Sequence, residues 1–381
     1  MKILAIGHSL HPEWFGGEPR VARIVLNALK DQGHDVRVIA LPRQVIKWRL
    51  RSSALSVDPV VYYYERALRR FKPDVVLLWY DATLDSAVYL LKYARELGYR
   101  LVYSLHYHHM WCPDGRFFCL YERGLACEKC IRLTLFRRID YTRLYLKQFS
   151  RKLNMLRGLL RSCREYYRVV VPSRFMGILV HVVLGVPMDN IVVVYNGVDV
   201  DFFKPIADKE DKPPLLFVGA LERHKGFHHY LMLVRELRRR GYDVNAYAVG
   251  KGSLANLATK YGIQYLGQVK DMDLVRLYSK SWAVIIPSLW SEPFPLVPLE
   301  AASCGTVPIA YSVGGLNESC GLVKGVLIPR GSLTKLMHTV EKLLSSGVYE
   351  AKKRGMTCRA KVVVEFNVHK MIEGYVNSLV K

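Results

Sequence analysis

The sequence predicts an α/β protein with two doubly wound parallel-sheet domains. Short apolar runs alternate with amphipathic helical segments along almost the whole chain of 381 residues, which is the pattern of parallel sheets covered by helices. Several of the runs end at a glycine, where the chain can turn sharply. The segment 201–214 is polar and carries prolines, as inter-domain linkers do. We therefore expect one domain over 1–205 and a second over 214–365.

The elements follow in chain order from the period of the apolar residues. In the first half the predicted strands are 2–7, 36–39, 73–79, 101–105, 169–173 and the start of 191–199, and the predicted helices are 21–29, 57–70, 87–97 and 175–184. In the second half the predicted strands are 215–219, 244–249, 264–267, 282–286 and 307–310, and the predicted helices are 227–240, one opened by 250–253, 271–279, 298–304, 332–344, 348–360 and 368–380.

The charge of the chain restricts its partners. The formal net charge is +23, which suits nucleic acid, an anionic membrane surface or anionic small substrates. No apolar run reaches the roughly 18 residues of a membrane span, and the strand-like start at 2–7 does not resemble a signal peptide. We expect a cytoplasmic protein. The basic segment 132–168 carries an apolar stripe that includes Leu153, Leu156 and Leu160. This stripe could lie on an anionic membrane, with the protein peripheral to it, or pack on its own domain.

Four cysteines lie within twenty residues of one another. The chain has eight cysteines, and Cys112, Cys119, Cys127 and Cys130 have the spacing C-x6-C-x7-C-x2-C. One C-x2-C pair with two further cysteines fits a structural tetrahedral zinc site. The alternative is four partly buried thiols.

Two carboxylates, Glu292 and Glu300, flank a proline-bearing stretch after the run 282–286. Pro293, Pro295 and Pro298 prevent a single helix from holding both acids. We expect Glu292 on a loop at the carboxyl end of a strand and Glu300 in the first turn of the next helix. Ligands of open α/β sheets bind at this edge. The alternative is that both acids are ordinary surface residues near a helix start.

Several short motifs in this order resemble glycosyltransferase family 4, whose members are retaining enzymes of the GT-B fold. The motifs are Gly16-Gly17, Asn196-Gly-Val-Asp199, Val218-Gly219, Lys225-Gly226, Gly250-x-Gly252, Tyr265-Leu-Gly267, Pro287-Ser288, Glu292-x7-Glu300 and Gly314-Gly315-x-x-Glu318. The resemblance covers nearly the whole chain. It implies two facing Rossmann-like domains with a cleft between them, and a last helix over 366–381 that crosses back to the first domain.

The resemblance also implies roles for the second half of the chain. Lys225, with Arg223, would bind the diphosphate of a nucleotide-sugar donor. Glu300 would accept hydrogen bonds from the ribose, and Glu292 would face the transferred sugar. The remaining donor-binding positions are Gly219, Phe294, Leu296 and Val297, the last three through their backbone.

In the first half, His106 matches the family's histidine that faces the reacting sugar. Gly16 and Gly17 match the loop that approaches the donor diphosphate and the acceptor. No metal or other cofactor is implied for catalysis, because basic side chains stabilise the leaving diphosphate. At two positions the sequence differs from the residues that the family usually has. Ala220 stands where the family often has arginine, and Pro293-Phe-Pro295 replaces a glycine-rich loop.

The prediction is therefore a retaining glycosyltransferase that moves a sugar from a UDP- or GDP-type donor to a glycan or a lipid-linked acceptor. Two alternatives stay open at this point. One is a nucleotide-sugar epimerase of the same fold. The other is a non-enzymatic protein that binds a membrane or nucleic acid through its basic face, although no nucleic-acid-reading module accompanies that face.

Overall fold

The computed structural model describes residues 1–7, 10, 16–40, 60–79, 84–106, 151 and 154–380. The contacts divide the chain into two compact units. The first comprises Met1–Tyr195 together with Ile372–Lys381, and the second is Asn196–Met371. Each unit is described by itself.

The first unit is built on a six-stranded parallel sheet in the order β2-β1-β3-β4-β5-β6. Its central strands are formed by the continuous apolar runs from which strands were predicted, and every residue of β3 is buried. Burial on both faces is what a parallel sheet covered by helices requires. The strands are β1 Lys2–Gly7, β2 Asp35–Ala40, β3 Val75–Leu78, β4 Arg100–Ser104, β5 Tyr167–Val171 and β6 Ile191–Val193.

Helices connect these strands. They are Gly17–Asp31, Val60–Phe71, Leu84–Leu97, helical residues 154–162, Arg174–Leu179 and the π-helical turn Val180–Leu184 that continues it. The last helix, Val368–Val380, begins in the second unit and ends in the first.

The basic segment 132–168 lies partly within the described residues. There, Leu156 and Leu160 are buried in the core of the first unit. Arg157 donates from Nε to the carbonyl oxygen of Val183 at 2.9 Å. For this part of the segment, the apolar stripe packs on its own unit, and the membrane alternative for these leucines is wrong. Leu153 and residues 132–150 lie outside the described residues.

The second unit contains another six-stranded parallel sheet, in the order β12-β11-β10-β7-β8-β9. Counted within this unit, the order is that of a dinucleotide-binding Rossmann fold, in which the topology reverses between the first and fourth strands and ligands bind at their carboxyl ends. Here these strands are β7 and β10. The strands are β7 Pro214–Val218, β8 Asn245–Val249, β9 Gln264–Gly267, β10 Ala283–Ile286, β11 Val307–Ser312 and β12 Val326–Pro329.

The helices of this unit are Phe227–Arg239, Asp271–Lys280, Val297–Ser303, Leu316–Ser319, Leu333–Ser345 and Gly347–Glu365. The helix predicted after 250–253 is wrong. Two short 3-10 turns, Ala255–Leu257 and Thr259–Tyr261, stand there instead, and Gly262 ends them with a positive φ of 67°. Strand β12 was not predicted, because its residues alternate irregularly between exposed and buried.

Two Rossmann-like units confirm the predicted fold class. Among the residues that the structure describes, no helix combines the length and the apolar composition that a membrane crossing requires.

Candidate active site

The candidate site of the second unit lies on the loops that follow β7 and β10. Gly226 has a φ of 72°, and a Cβ there would lie 1.7 Å from the carbonyl oxygen of Pro287. Only glycine permits both this backbone conformation and this approach. The amide of Leu289 also donates to the carbonyl oxygen of His224 at 2.8 Å. The two loops are therefore held directly against each other.

Lys225 and Glu292 face each other across this contact. The ammonium of Lys225 donates to both carboxylate oxygens of Glu292, at 2.7 Å and 2.9 Å. The hydroxyl of Ser288 donates to Oε1 of Glu292 at 2.9 Å, and Nζ of Lys225 lies 4.7 Å from the ring centroid of Trp290. The side chain of Glu292 is only 6% exposed, whereas that of Lys225 is 25% exposed. Because an ammonium has three N–H groups, Lys225 can neutralise Glu292 and still bind a second anion from solvent.

The loop that carries Glu292 is fixed from a second side by a glycine turn. The amide of Gly315 donates to the carbonyl oxygen of Glu292 at 2.6 Å. A Cβ on Gly315 would lie 1.9 Å from the carbonyl oxygen of Pro293. The pair Gly314-Gly315 thus supports the loop through its backbone, and any larger residue at Gly315 would displace it.

Glu300 lies in the first turn of the helix Val297–Ser303 and is 6% exposed. The hydroxyl of Tyr278 donates to its Oε2 at 3.0 Å. Glu292 is likewise 5% exposed. The interpretation of both acids as ordinary surface residues is therefore wrong, because each carboxylate is buried and hydrogen-bonded, as buried charges must be.

The other predicted donor-binding residues of this unit follow the same two strands, β7 and β10. Gly219 comes directly after β7, and its amide donates to the carbonyl oxygen of Val249 at 3.0 Å. Arg223 is exposed. Phe294 is buried, with its ring 6.2 Å from the ring of Phe366, and its carbonyl oxygen accepts a hydrogen bond from Nδ2 of Asn196 at 3.3 Å. Leu296 and Val297 are half-buried where the helix begins.

His106 in the first unit belongs to a buried polar cluster. It follows β4, as predicted, and its Nε2 lies 3.0 Å from both Oγ of Ser104 and the hydroxyl of Tyr375. These two hydroxyls are 2.8 Å apart. The ring of Trp79 stacks on both His106 and Tyr375, with centroids 5.4 Å and 5.1 Å away. Burial lowers the pKa of His106 to about 3, so that its imidazole is neutral near pH 7.

Gly16 and Gly17 open the helix Gly17–Asp31 in the first unit. Gly16 has a φ of 134° and stands at the N-cap position, and both glycines are exposed. This is a backbone that a ligand could approach closely.

The predicted zinc site lies outside the described residues, because Cys112, Cys119, Cys127 and Cys130 all fall in the gap after residue 106. Within the described ranges, no group of three or more histidine, cysteine, aspartate or glutamate residues could hold a metal ion.

Sequence reasoning gave no role to five side chains that contact the predicted residues: Ser104, Tyr278, Ser288, Trp290 and Tyr375. Ser288 and Trp290 lie in the loop before Glu292. A loop has no regular side-chain period, so its sequence does not indicate which side chains point inward. Ser104 is the last residue of β4, two residues before His106, and could have been found from that position. Tyr278 and Tyr375 fall on the apolar stripes of their predicted helices, so their positions predict packing and not a hydrogen bond to a site residue.

Two family models match successive parts of the chain. The model described as Glycosyltransferase Family 4 matches residues 15–202, and the model described as Glycosyl transferases group 1 matches residues 199–360. The chain is also 28% identical over 178 residues to an uncharacterized glycosyltransferase of Methanocaldococcus jannaschii. That match covers 41% of this chain and 45% of the relative, so that the chain spans less than half of that protein's length.

Solved structures resemble the chain over nearly its full length. Sucrose-phosphate synthase from Thermosynechococcus elongatus matches with a TM-score of 0.74 at 17% identity, covering 99% of this chain and 98% of that one. HepE of Anabaena in complex with UDP-glucose matches with a TM-score of 0.69 at 17% identity, covering 100% and 99%. The fold is therefore that of the GT-B glycosyltransferases. With the two family models over residues 15–360, the chain belongs among the glycosyltransferases of this fold.

Proposed function

We propose that this protein transfers a sugar from a nucleoside diphosphate sugar to a glycan or lipid-linked acceptor, with retention of the anomeric configuration. The observation that carries the proposal is the position of Lys225, Glu292 and Glu300. All three follow β7 or β10, the two strands at which the order of the second sheet reverses. Ligands of this sheet type bind there, and HepE, which has the same fold, was solved with UDP-glucose.

In the proposed reaction, the bond between the anomeric carbon and the diphosphate breaks while a bond to the acceptor oxygen forms on the same face of the sugar. The proton of the acceptor hydroxyl passes to a phosphate oxygen of the leaving group. Negative charge grows on the diphosphate, and cations placed there in advance lower the barrier. Lys225 is half-buried at the loop contact, and exposed Arg223 precedes it. In this proposal both supply that charge, without a metal ion.

The carboxylates have separate roles in this proposal. Glu300 accepts hydrogen bonds from the ribose hydroxyls, and the hydroxyl of Tyr278 fixes its orientation. Glu292 accepts hydrogen bonds from the transferred sugar, and Lys225 and Ser288 hold it in place. The backbone at Gly219, Phe294, Leu296 and Val297 completes the donor contacts. In the first unit, His106 is proposed to contact the transferred sugar, and Gly16 and Gly17 the donor diphosphate and the acceptor.

A panel of UDP- and GDP-sugars with thermal unfolding as the readout tests the donor class. A ligand that binds only the folded chain stabilises it by RT ln(1 + [L]/Kd) and thereby raises its melting temperature. We expect one nucleotide class to stabilise the wild type and to lose this effect in Glu300→Gln. If no nucleotide or nucleotide-sugar stabilises the chain, the proposal is wrong.

A second measurement separates the proposal from a nucleotide-sugar epimerase of the same fold. The stabilising donor is incubated with the protein, without an acceptor and then with a panel of glycan and lipid-linked acceptors. The products are identified by NMR. Transfer with the donor's anomeric configuration supports the proposal. Isomerised nucleotide-sugar formed without an acceptor would indicate the epimerase instead.

The net charge of +23 motivates a proposal about where the acceptor lies. Leu156 and Leu160 are buried, so these leucines cannot insert into lipid. Attraction to an anionic membrane would therefore be electrostatic and would fall with salt. Sedimentation with phosphatidylserine vesicles should capture the protein at low ionic strength and release it at high ionic strength. Equal binding to neutral phosphatidylcholine vesicles, or none to either, would contradict this.

A further inference from the structure

The buried cluster around His106 constrains which ring nitrogen carries the proton. Three atoms form a closed triangle: Nε2 of His106, Oγ of Ser104 and the hydroxyl oxygen of Tyr375, with separations of 2.8 to 3.0 Å. Within the part of the chain that the structure describes, none of these three atoms has a further hydrogen-bond partner. Among the described residues, the protons of the triangle can therefore be satisfied only inside it.

Counting those protons favours one arrangement. If Nε2 carries a proton, the triangle holds three protons, one on Nε2 and one on each hydroxyl. Only one of the two hydroxyl protons can lie between the two hydroxyl oxygens. The other hydroxyl proton then lacks an acceptor, because Nε2 is occupied. If Nε2 is bare, Ser104 donates to Tyr375 and Tyr375 donates to Nε2, or the two exchange roles, and both protons are paired. A buried hydroxyl without an acceptor costs about 1–3 kcal/mol, so the bare Nε2 is preferred.

The packing holds this arrangement in place. Trp79 is fully buried and lies nearly parallel to both rings, at 15° to His106 and 17° to Tyr375. The imidazole cannot flip to exchange its nitrogens without breaking that stack. Burial also lowers the pKa of His106 to about 3 and raises the pKa of Tyr375. Both groups are therefore neutral over the range in which an enzyme is assayed.

We propose that Ser104 and Tyr375 are positioning residues that fix His106 as the tautomer protonated on Nδ1. His106 then acts as a neutral hydrogen-bond donor through Nδ1–H rather than as a general base. Under the proposed function, on which this last step rests, that N–H donates to an oxygen of the transferred sugar. Among the described residues Nδ1 has no hydrogen-bond partner, so its N–H is left for a ligand oxygen.

Nitrogen NMR of the full chain with ¹⁵N-labelled histidine tests the tautomer without any turnover. The signals of His106 are identified by their absence in His106→Gln. We expect a pyrrole-type shift at Nδ1 and a pyridine-type shift at Nε2 in the wild type. The opposite assignment in the wild type would overturn the proposal, whatever happens to the variants.

Removal of both hydroxyls tests their positioning role. In Tyr375→Phe, Ser104 can donate directly to Nε2, so the Nδ1–H tautomer should persist. In Ser104→Ala combined with Tyr375→Phe, Nε2 has no donor, and the two tautomers should mix. There, kcat should fall severalfold, and by no more than the roughly tenfold that one hydrogen bond of about 1.4 kcal/mol is worth, because part of the protein keeps the Nδ1–H tautomer. The donor KM should stay within about twofold of the wild type. An unchanged tautomer in the double variant would overturn the proposal.

Tyr99→Phe is the matched control. Tyr99 is buried in the same unit, and its hydroxyl donates to the carbonyl oxygen of Leu90 at 2.8 Å. This variant should lose stability but keep both the tautomer and kcat. A loss of kcat equal to that of the double variant would indicate a merely structural effect and contradict the proposal. If the wild type turns over no nucleotide-sugar at all, the proposed function fails, while the NMR result still decides the tautomer.

Discussion

Lys225 and Glu292 form a doubly hydrogen-bonded ion pair although 67 residues separate them in the chain. The pair joins the loops after two adjacent strands of the second sheet, and its carboxylate is the more buried partner. The pair thus places a lysine at the point where the strand order reverses and keeps it there before any ligand arrives. This preorganisation is what stabilising a leaving diphosphate requires.

Replacement of Lys225 by methionine should remove donor turnover. The variant loses the cation and leaves the buried carboxylate of Glu292 without its ammonium, which costs several kcal/mol for a buried pair. We expect kcat/KM to fall by at least about a hundredfold, a loss of about 2.7 kcal/mol. The control is Lys212→Met, which breaks an exposed pair with Asp243 in the same unit. Equal activity in the two variants would rule out the proposed role of Lys225.

Substitution of Gly226 by alanine should prevent the two loops from meeting. Its φ is positive, and the added Cβ would overlap the carbonyl oxygen of Pro287. Gly241→Ala is the matched control, because Gly241 also has a positive φ, of 89°, but has nothing within 4 Å of the added Cβ. In urea unfolding, the free energy of unfolding of the control should fall by about 1–2 kcal/mol. That of Gly226→Ala should fall by clearly more. A similar decrease in both variants would contradict the close approach of Gly226 to Pro287.

Removal of the Tyr278 hydroxyl should weaken donor binding through Glu300. Tyr278→Phe deprives Oε2 of its hydrogen bond, and a hydrogen bond to a charged group is worth about 1.5–3 kcal/mol. Part of that loss should appear as a severalfold higher Kd for the donor nucleotide, measured by titration calorimetry. Tyr230→Phe also removes a buried hydroxyl, which donates to the carbonyl oxygen of Leu215. It should lower stability without changing Kd.

Lys209 should make stability depend on pH above neutrality. Its ammonium donates to the carbonyl oxygen of Ser281 and to Oγ1 of Thr306, and burial lowers its pKa from 10.5 to about 7. Between pH 7 and pH 10.5 the unfolded chain holds a proton that the folded chain has lost. Stability should therefore rise with pH in this window, by up to about 1.4 kcal/mol per pH unit for this one proton.

Urea unfolding at several pH values from 7 to 10 checks this expectation. Lys209→Met should show a smaller rise of the unfolding free energy with pH than the wild type, whatever its constant loss from the two missing hydrogen bonds of the ammonium. Lys212→Met should keep the wild-type slope, because its ammonium is half exposed. Identical slopes in all three proteins would mean that Lys209 stays charged in the fold.

The sequence predicted the fold and the site residues where the evidence was local. A proline at the start of the helix Val297–Ser303 and Gly305 after it mark that helix from its own residues. The position of Glu292 on a loop follows from the prolines beside it. The contacts that give these acids and His106 their environment are not local. Tyr278 reaches Glu300 across 22 residues, and Tyr375 reaches Ser104 across 271. The tertiary fold creates such contacts, and the hydrophobic period of the sequence does not predict them.

Tyr375 also sets an order in which the chain can mature on the ribosome. The second unit, Asn196–Met371, is contiguous and can fold as soon as it is made, whereas the first unit needs Ile372–Lys381. Until these final residues emerge, Ser104 and His106 have no tyrosine to bond. The nascent chain therefore holds an unfinished amino-terminal half while the carboxyl-terminal half is being synthesised. Loss of Ile372–Lys381 would leave the second unit complete and would affect His106 alone among the predicted catalytic residues.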